Sequence, residues 1–304
     1  MPHLILCTEV FMEYICSLCP RNCNALRTDD KGNGFCKMGV LPKIARAAPH
    51  FWEEPCISGT KGSGTIFFSG CVLSCVFCQN NKISAGGYGK TVSVYELIGY
   101  IKSLEEQGVH NINLVSPTPY VESIISAFEK YRPSVPVVYN TGGYEKAETI
   151  KRLEGIVDIY LPDMKYIKTE LSGKYSGAVN YFEYALPAIK EMVRQTGKPV
   201  FDENGIMLKG TIVRHLILPQ NTKNSIQVLD VLKREFGDDI LVSLMGQYVP
   251  MGRADEFKEL NRRITAREYN KVLEHMQELG LDGYVQELGS AKKTYIPDFD
   301  ISLL

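Results

Sequence analysis

Cys71, Cys75 and Cys78 stand in one short run, Gly70-Cys71-Val72-Leu73-Ser74-Cys75-Val76-Phe77-Cys78, directly after the strand-like Thr65–Ser69. Three thiolates at C-x3-C-x2-C spacing on one loop can hold three corners of a 4Fe–4S cubane and leave the fourth iron without a protein ligand. Structural zinc sites and closed electron-transfer clusters take four protein ligands, whereas an open corner binds and activates a small molecule. Incidental buried cysteines scatter, and metal-binding thiolates cluster at fixed spacing. A second set, Cys16, Cys19, Cys23 and Cys36, has two, three and twelve intervening residues. Four thiolates form a complete tetrahedral shell, and spacing alone does not choose between structural zinc, a second iron–sulfur cluster and reduced thiols without metal. Cys7 and Cys56 lie apart and read as ordinary small residues, and the five histidines show no HxxxH or HExxH spacing. A lone His such as His215 reads as a satisfied core residue.

The elements that must position these groups follow from apolar periodicity. Strands are predicted over 65–69, 111–115, 137–140, 157–161, 211–218 and 240–244, with helices over 93–107, 120–131, 145–153, 181–195, 223–236 and 266–279. The last helix opens with Thr265 and Glu268 at capping-box spacing and keeps Tyr269, Val272, Leu273 and Met276 on one face. Strands alternating with helices predict parallel β/α units, here an α/β fold curled into a partial (β/α)6 barrel of TIM type. In such barrels the loops after the strands meet on one rim, where chemistry is placed. That rim would gather the cysteine loop, Ser116-Pro117-Thr118, Thr141-Gly142-Gly143, Asp163-Met164-Lys165 and Gln247-Tyr248. Residues 1–60 hold six of the nine cysteines and little periodicity, and are expected to form a Cys-rich N-terminal module ahead of a barrel at 61–304. That module is too short and apolar-poor to fold without a staple, so Phe51 and Trp52 are expected to pin it to the barrel.

The chain has 304 residues, 44% of them apolar and 23% charged, enough for a large core and typical of a globular enzyme. Thirty-four Lys and Arg against 35 Asp and Glu give a net charge of −1, which advertises no nucleic-acid partner. Pro2–Cys7 is apolar but short and soon interrupted by Glu9 and Glu13, so neither a signal peptide nor a membrane span is expected. Met12 offers a second start. Cysteine-dense and without a secretion signal, the chain reads as a cytoplasmic metal binder rather than a disulfide scaffold.

Over residues 61–304 the sequence resembles the radical S-adenosylmethionine (radical SAM) proteins related to pyruvate formate-lyase activating enzyme. The cysteine triplet, Phe77 included, carries the likeness, with Tyr139-Asn140-Thr141-Gly142-Gly143, Leu161-Pro162-Asp163-Met164-Lys165 and Arg214 ahead of the apolar run to Pro219. The resemblance implies a 4Fe–4S cluster on Cys71, Cys75 and Cys78, and an S-adenosylmethionine pocket involving Phe77, Asn140, Thr141, Asp163 and Lys165. It implies one-electron cleavage of that cofactor to methionine and a 5′-deoxyadenosyl radical, which takes hydrogen from a substrate. It also implies an external electron donor such as flavodoxin or ferredoxin, and a glycine of a partner glycyl radical enzyme as the hydrogen source. A small metabolite is the rival substrate, and an iron–sulfur sensor or electron carrier the rival class. One departure stands out. The activases carry Gly-Gly-Glu after the second strand, where this chain reads Val115-Ser116-Pro117-Thr118, so the Ser116 and Thr118 hydroxyls are expected to take the methionine ammonium. A neutral acceptor holds a cation less strongly than a carboxylate. In this segment, in Leu244–Tyr248 and in the leading cysteines, the chain is similar to a branch of activase-like proteins without an established substrate.

Overall fold

The structure, a computed structural model, describes residues 14–85, 87–286 and 299. The Pro2–Cys7 run and Met12 lie outside the described residues. Along the chain the strands are β1 (Tyr14–Cys16), β2 (Ala25–Arg27), β3 (Lys43–His50), β4 (Ser63–Phe68), β5 (Lys90–Thr91), β6 (Ile112–Val115), β7 (Val137–Thr141), β8 (Ile159–Pro162), β9 (Val200–Phe201), β10 (Met207–Leu216), β11 (Leu241–Met245) and β12 (Gly283–Val285).

One sheet runs in the order β12-β11-β10-β8-β7-β6-β4-β3-β5, with every pair from β4 to β12 parallel. It is the partial α/β barrel expected, with all six anticipated strands in place and short β12 added beyond them. β4, β6, β7 and β8 are buried on both faces, which is why they read as near-continuous apolar runs. Helices Val94–Glu106, Val121–Lys130, Ala147–Lys151, Tyr181–Thr196, Thr222–Phe236 and Ala266–Glu278 alternate with them. Both Ser93 and Thr265 close capping boxes, with Glu96 and Glu268 respectively.

The leading segment departs from expectation in two ways. Lys43–His50 is an eight-residue strand paired antiparallel with β4, so the sheet extends into residues read as lacking strand periodicity. Phe51 and Trp52, expected to be packed, are 51% and 58% exposed. Attachment comes instead from the β3–β4 pairing, from Leu18, Ala25 and Met38 packed into the barrel core, and from hydrogen bonds to backbone carbonyls. Arg21 Nε donates to Val72 O at 2.7 Å, Thr149 Oγ1 to Leu18 O at 2.7 Å, Lys146 Nζ to Ser17 O at 2.9 Å and Ser123 Oγ to Val40 O at 2.8 Å. Irregular backbone has few carbonyl partners of its own, and barrel side chains supply many of them here.

Candidate active site

Parallel register sets the strand ends level. Val115 pairs with Asn140, Asn140 with Leu161, Thr141 with Pro162, and Arg214 with Ser243, while Asp163 and Arg214 form the bridge between β8 and β10. The loop after β4 carries Cys71, Cys75 and Cys78. It is fixed by Ser74 N to Ser176 O (3.2 Å) and Val76 N to Tyr175 O (2.9 Å), at the C-terminal end of helix Thr169–Ser176. Gly70, at φ +83°, permits the turn into the loop, and a side chain there would strike Met38.

The three thiols line one cavity of about 260 Å3 together with Phe77, Ser116, Asn140, Thr141, Asp163, Lys165 and Arg214. Cys75 Sγ lies 3.0 Å from Ser176 Oγ, Cys78 Sγ 3.3 Å from Ser84 Oγ, and Leu73 N donates to Cys71 Sγ at 3.4 Å. Burial pushes the Cys71 thiol up to about 12, and the neighbouring Cys75 adds to it. Cys75 is raised by burial too, against the pull of Lys165. Thiols kept protonated this way ionise when a metal supplies the compensating charge. Among the described residues no group of three Cys, His, Asp or Glu side chains is arranged to hold a single metal ion. A cubane takes each thiolate on a different iron, and three thiols around a cavity fit that demand. Phe77 is buried and meets Tyr248 edge-on, with ring centroids 6.0 Å apart, beside the last cysteine.

Charge is concentrated on the far wall. Lys165 Nζ donates to Asp163 Oδ2 at 2.5 Å, and Arg214 Nε to Asp163 Oδ1 at 3.1 Å. Burial works against the Asp163 carboxylate, but Lys165 and Arg214 outweigh it and hold its pKa below the usual range. Arg214 also donates to Asn140 Oδ1 at 2.6 Å and approaches Glu53 Oε2 at 3.4 Å. Glu53 is the residue sequence reasoning missed. It comes from the segment after β3, and its Oε1 accepts from Asn113 at 3.2 Å and Asn140 at 3.3 Å. Gly143, at φ +79°, lets the turn after β7 pass the Asp163 carbonyl, which a Cβ would approach to 2.0 Å.

Ser116 and Thr118 part company. Ser116 sits in the left-handed region at φ +58° and lines the cavity. Thr118 starts a 3-10 turn, is buried, and donates to Glu145 Oε1 at 2.5 Å, facing the leading cysteines rather than the cavity. Its hydroxyl is committed to a buried carboxylate, which corrects the role expected for it. Thr141 lines the cavity, but its hydroxyl also donates to Glu145. Burial pushes Glu145 up to about 7, with the Thr118 and Thr141 hydrogen bonds pulling the other way.

Cys16, Cys19, Cys23 and Cys36 surround a separate cavity of about 10 Å3, room for one water-sized atom. Burial raises the Cys19 thiol to about 12 and Cys36 above its ordinary value. Arg27 is buried beside them, with Nε donating to Met38 O at 3.0 Å, another nitrogen to Gly39 O, and Nη1 3.6 Å from Cys16 Sγ. A buried guanidinium favours an anionic neighbour, and a four-thiolate metal centre would be one, although the four thiols as they stand are not arranged around a single ion.

Residues 65–229, more than half of the chain, match the radical SAM superfamily. The chain belongs to the radical SAM superfamily, whose members are enzymes built around a 4Fe–4S cluster and S-adenosylmethionine. It is 30% identical over 279 residues to an uncharacterised protein of Methanocaldococcus jannaschii, covering 88% of this chain and 75% of that one. Among solved structures, the FeFe-hydrogenase maturase HydG from Carboxydothermus hydrogenoformans matches with a TM-score of 0.50 at 16% identity, over 78% of this chain and 57% of its own. A second HydG structure matches at TM-score 0.50 and 14% identity, over 74% of this chain and 50% of its own. At such identity the likeness concerns the fold alone. The chain spans little more than half the length of these maturases. A domain of pyruvate-formate lyase-activating enzyme from Bacteroides vulgatus matches over 55% of this chain and 89% of its own, at TM-score 0.38 and 10% identity. That match is too distant to bear on the argument.

Proposed function

We propose that this protein cleaves S-adenosylmethionine reductively at a 4Fe–4S cluster held by Cys71, Cys75 and Cys78, and uses the product radical to take hydrogen from a substrate. The observation that carries this reading is one cavity of about 260 Å3 onto which the three thiols and the polar ends of five further parallel strands open. When bound, the cluster and cofactor supply a one-electron cleavage to methionine and a 5′-deoxyadenosyl radical. The protein's own residues bind, orient and exclude water. Lys165 and Arg214 put positive charge on the wall for the methionine carboxylate. Ser116 and Asn140 offer neutral oxygen acceptors for the ammonium, Asp163 stations the two cations, and Phe77 packs behind the cluster loop.

A glycine of a partner enzyme is one hydrogen source, as in the activases. A small metabolite is the second reading, favoured by a chamber of about 440 Å3 that shares Asn80, Asn140, Arg214 and Gln247 with the cofactor cavity. Electrons come from an external flavodoxin- or ferredoxin-type donor. Among the described residues no helix is long and apolar enough to cross a membrane. The eight described cysteines are all unbridged, which supports a reducing cytoplasm. For the leading four cysteines the complete four-thiolate set supports a metal, zinc or a second cluster. The test is direct: reconstituted, reduced protein is incubated with S-adenosylmethionine and 5′-deoxyadenosine is measured. Binding of the cofactor without turnover would instead mark a sensor or electron carrier.

A further inference from the structure

The chamber beside the cofactor cavity is framed by the segment after β3, and among the described residues its ionisable groups do not balance. Five ionisable side chains lie in one connected group: the acids Glu53, Glu54 and Asp163, and the cations Lys165 and Arg214. Asp163 is taken by both cations, and Arg214 has one further nitrogen near Glu53. Glu54 is left over. It is 8% exposed, it lines the chamber, and its Oε2 has no hydrogen-bond partner among the described residues. Gln286 Oε1, on the same chamber, is a second buried oxygen without a partner. Both orphans are acceptors. His50 brings no positive charge to this wall, because burial and Arg46 push its pKa down to about 4.

A buried acceptor left unpaired is costly, and an unpaired carboxylate more so, unless a ligand supplies donors. An ammonium or guanidinium supplies several donors and a positive charge that draws the Glu54 carboxyl back to its ionised form. The chamber also contains Phe51 and Trp52, and aromatic faces attract cations. Its volume of about 440 Å3 suits a small molecule.

Resting on the radical SAM reading above, we infer that the substrate is a small molecule bearing an ammonium or guanidinium group, and that Glu54 binds this group in the chamber beside the cofactor cavity. The shared wall of Asn140 and Arg214 then places the rest of the molecule towards the cofactor.

Trp52 is the sole tryptophan of the chain, so its fluorescence reports on the chamber directly. Reconstituted full-length protein is titrated with n-hexylammonium, n-hexanoate and n-hexanol as probes. The expected result is a saturable change with hexylammonium, at least about tenfold tighter than with either other probe, as loss of a hydrogen bond to a charged group implies. Equal or tighter binding of hexanoate or hexanol, or no saturable binding of hexylammonium, overturns the inference. Glu54→Gln should weaken hexylammonium about tenfold or more, and unchanged affinity in a folded variant also overturns it. If that variant does not fold, the three probes on the natural protein still decide. Binding is read without turnover. Protein that binds hexylammonium but makes no 5′-deoxyadenosine therefore breaks the functional reading alone, and the converse breaks this one alone.

Discussion

The two cysteine sets differ less in their thiols than in what stands around them. Cys71, Cys75 and Cys78 face a cavity of about 260 Å3 whose other walls are strand ends carrying polar and charged side chains. Cys16, Cys19, Cys23 and Cys36 face about 10 Å3, with a buried Arg27 and apolar neighbours. The first cavity leaves room for a ligand beside a cluster, and the second is no larger than one water-sized atom. An open donor set on a barrel rim suits chemistry, whereas a closed set in a loop-rich segment suits a staple.

Replacing Cys71, Cys75 and Cys78 together by alanine breaks the comparison most severely if it is wrong. The variant should lose all iron that responds spectroscopically to S-adenosylmethionine, and a retained response would sink the assignment. Metal left in it then belongs to the leading set. About one zinc supports the staple, iron with sulfide indicates a second cluster, and neither metal ends the staple idea. Stripping the metal with a chelator should raise amide exchange across residues 14–40 before it reaches the parallel strands.

Gly143→Ala comes next. Its Cβ would sit 2.0 Å from the Asp163 carbonyl oxygen at a φ of +79°, so the backbone of one loop must move. A cost of about 2–4 kcal/mol in stability is expected from strain and overpacking, visible in urea unfolding, with weaker cofactor binding. The same change at Gly237, where a Cβ meets nothing within 4 Å at φ +54°, carries only the conformational part and should leave cofactor binding alone. Equal losses of cofactor binding at both glycines would show that the turn after β7 has no special tie to the site.

Asp163→Asn keeps the shape but removes the charge that stations Lys165 and Arg214. Binding of S-adenosylmethionine should weaken by about 1.5–3 kcal/mol in calorimetry, with the iron content unchanged. An unaltered affinity would mean the two cations hold position without it.

Much of this was legible because the signals were local. Cysteine spacing lies within eight residues, and buried strands such as Ile112–Val115 announce themselves as apolar runs. β3 was hidden because Lys43, Arg46, Pro49 and His50 interrupt its apolar character, as suits a strand beside the short β5 at the end of the sheet. Glu53 was illegible for a different reason. Its partners Asn113, Asn140 and Arg214 lie 60, 87 and 161 residues away, and no local pattern encodes such a meeting. Thr118 was misread by adjacency: it follows a strand end, but the 3-10 turn it opens carries its hydroxyl to Glu145.

Thr118 therefore marks the boundary between the two cysteine regions, and the smallest effect on the cofactor is expected there. Burial raises the Glu145 pKa to about 7 in the folded protein, above an unfolded value of about 4.3. A carboxyl raised on folding stabilises fully below its unfolded pKa, and that contribution is lost as pH climbs through the folded one. Stability should thus fall from about pH 4.3 to about pH 7, and Glu145→Gln should flatten this part of the profile. Thr118→Val removes a hydrogen bond that favours the ionised form, so Glu145 should rise further and the fall should extend to higher pH. Affinity for S-adenosylmethionine should stay within about twofold, since the hydroxyl faces away from that cavity. Unfolding midpoints across this pH range, with a cofactor titration of the same variant, separate the two roles. A tenfold loss of cofactor affinity with an unchanged pH profile would return Thr118 to the cofactor pocket.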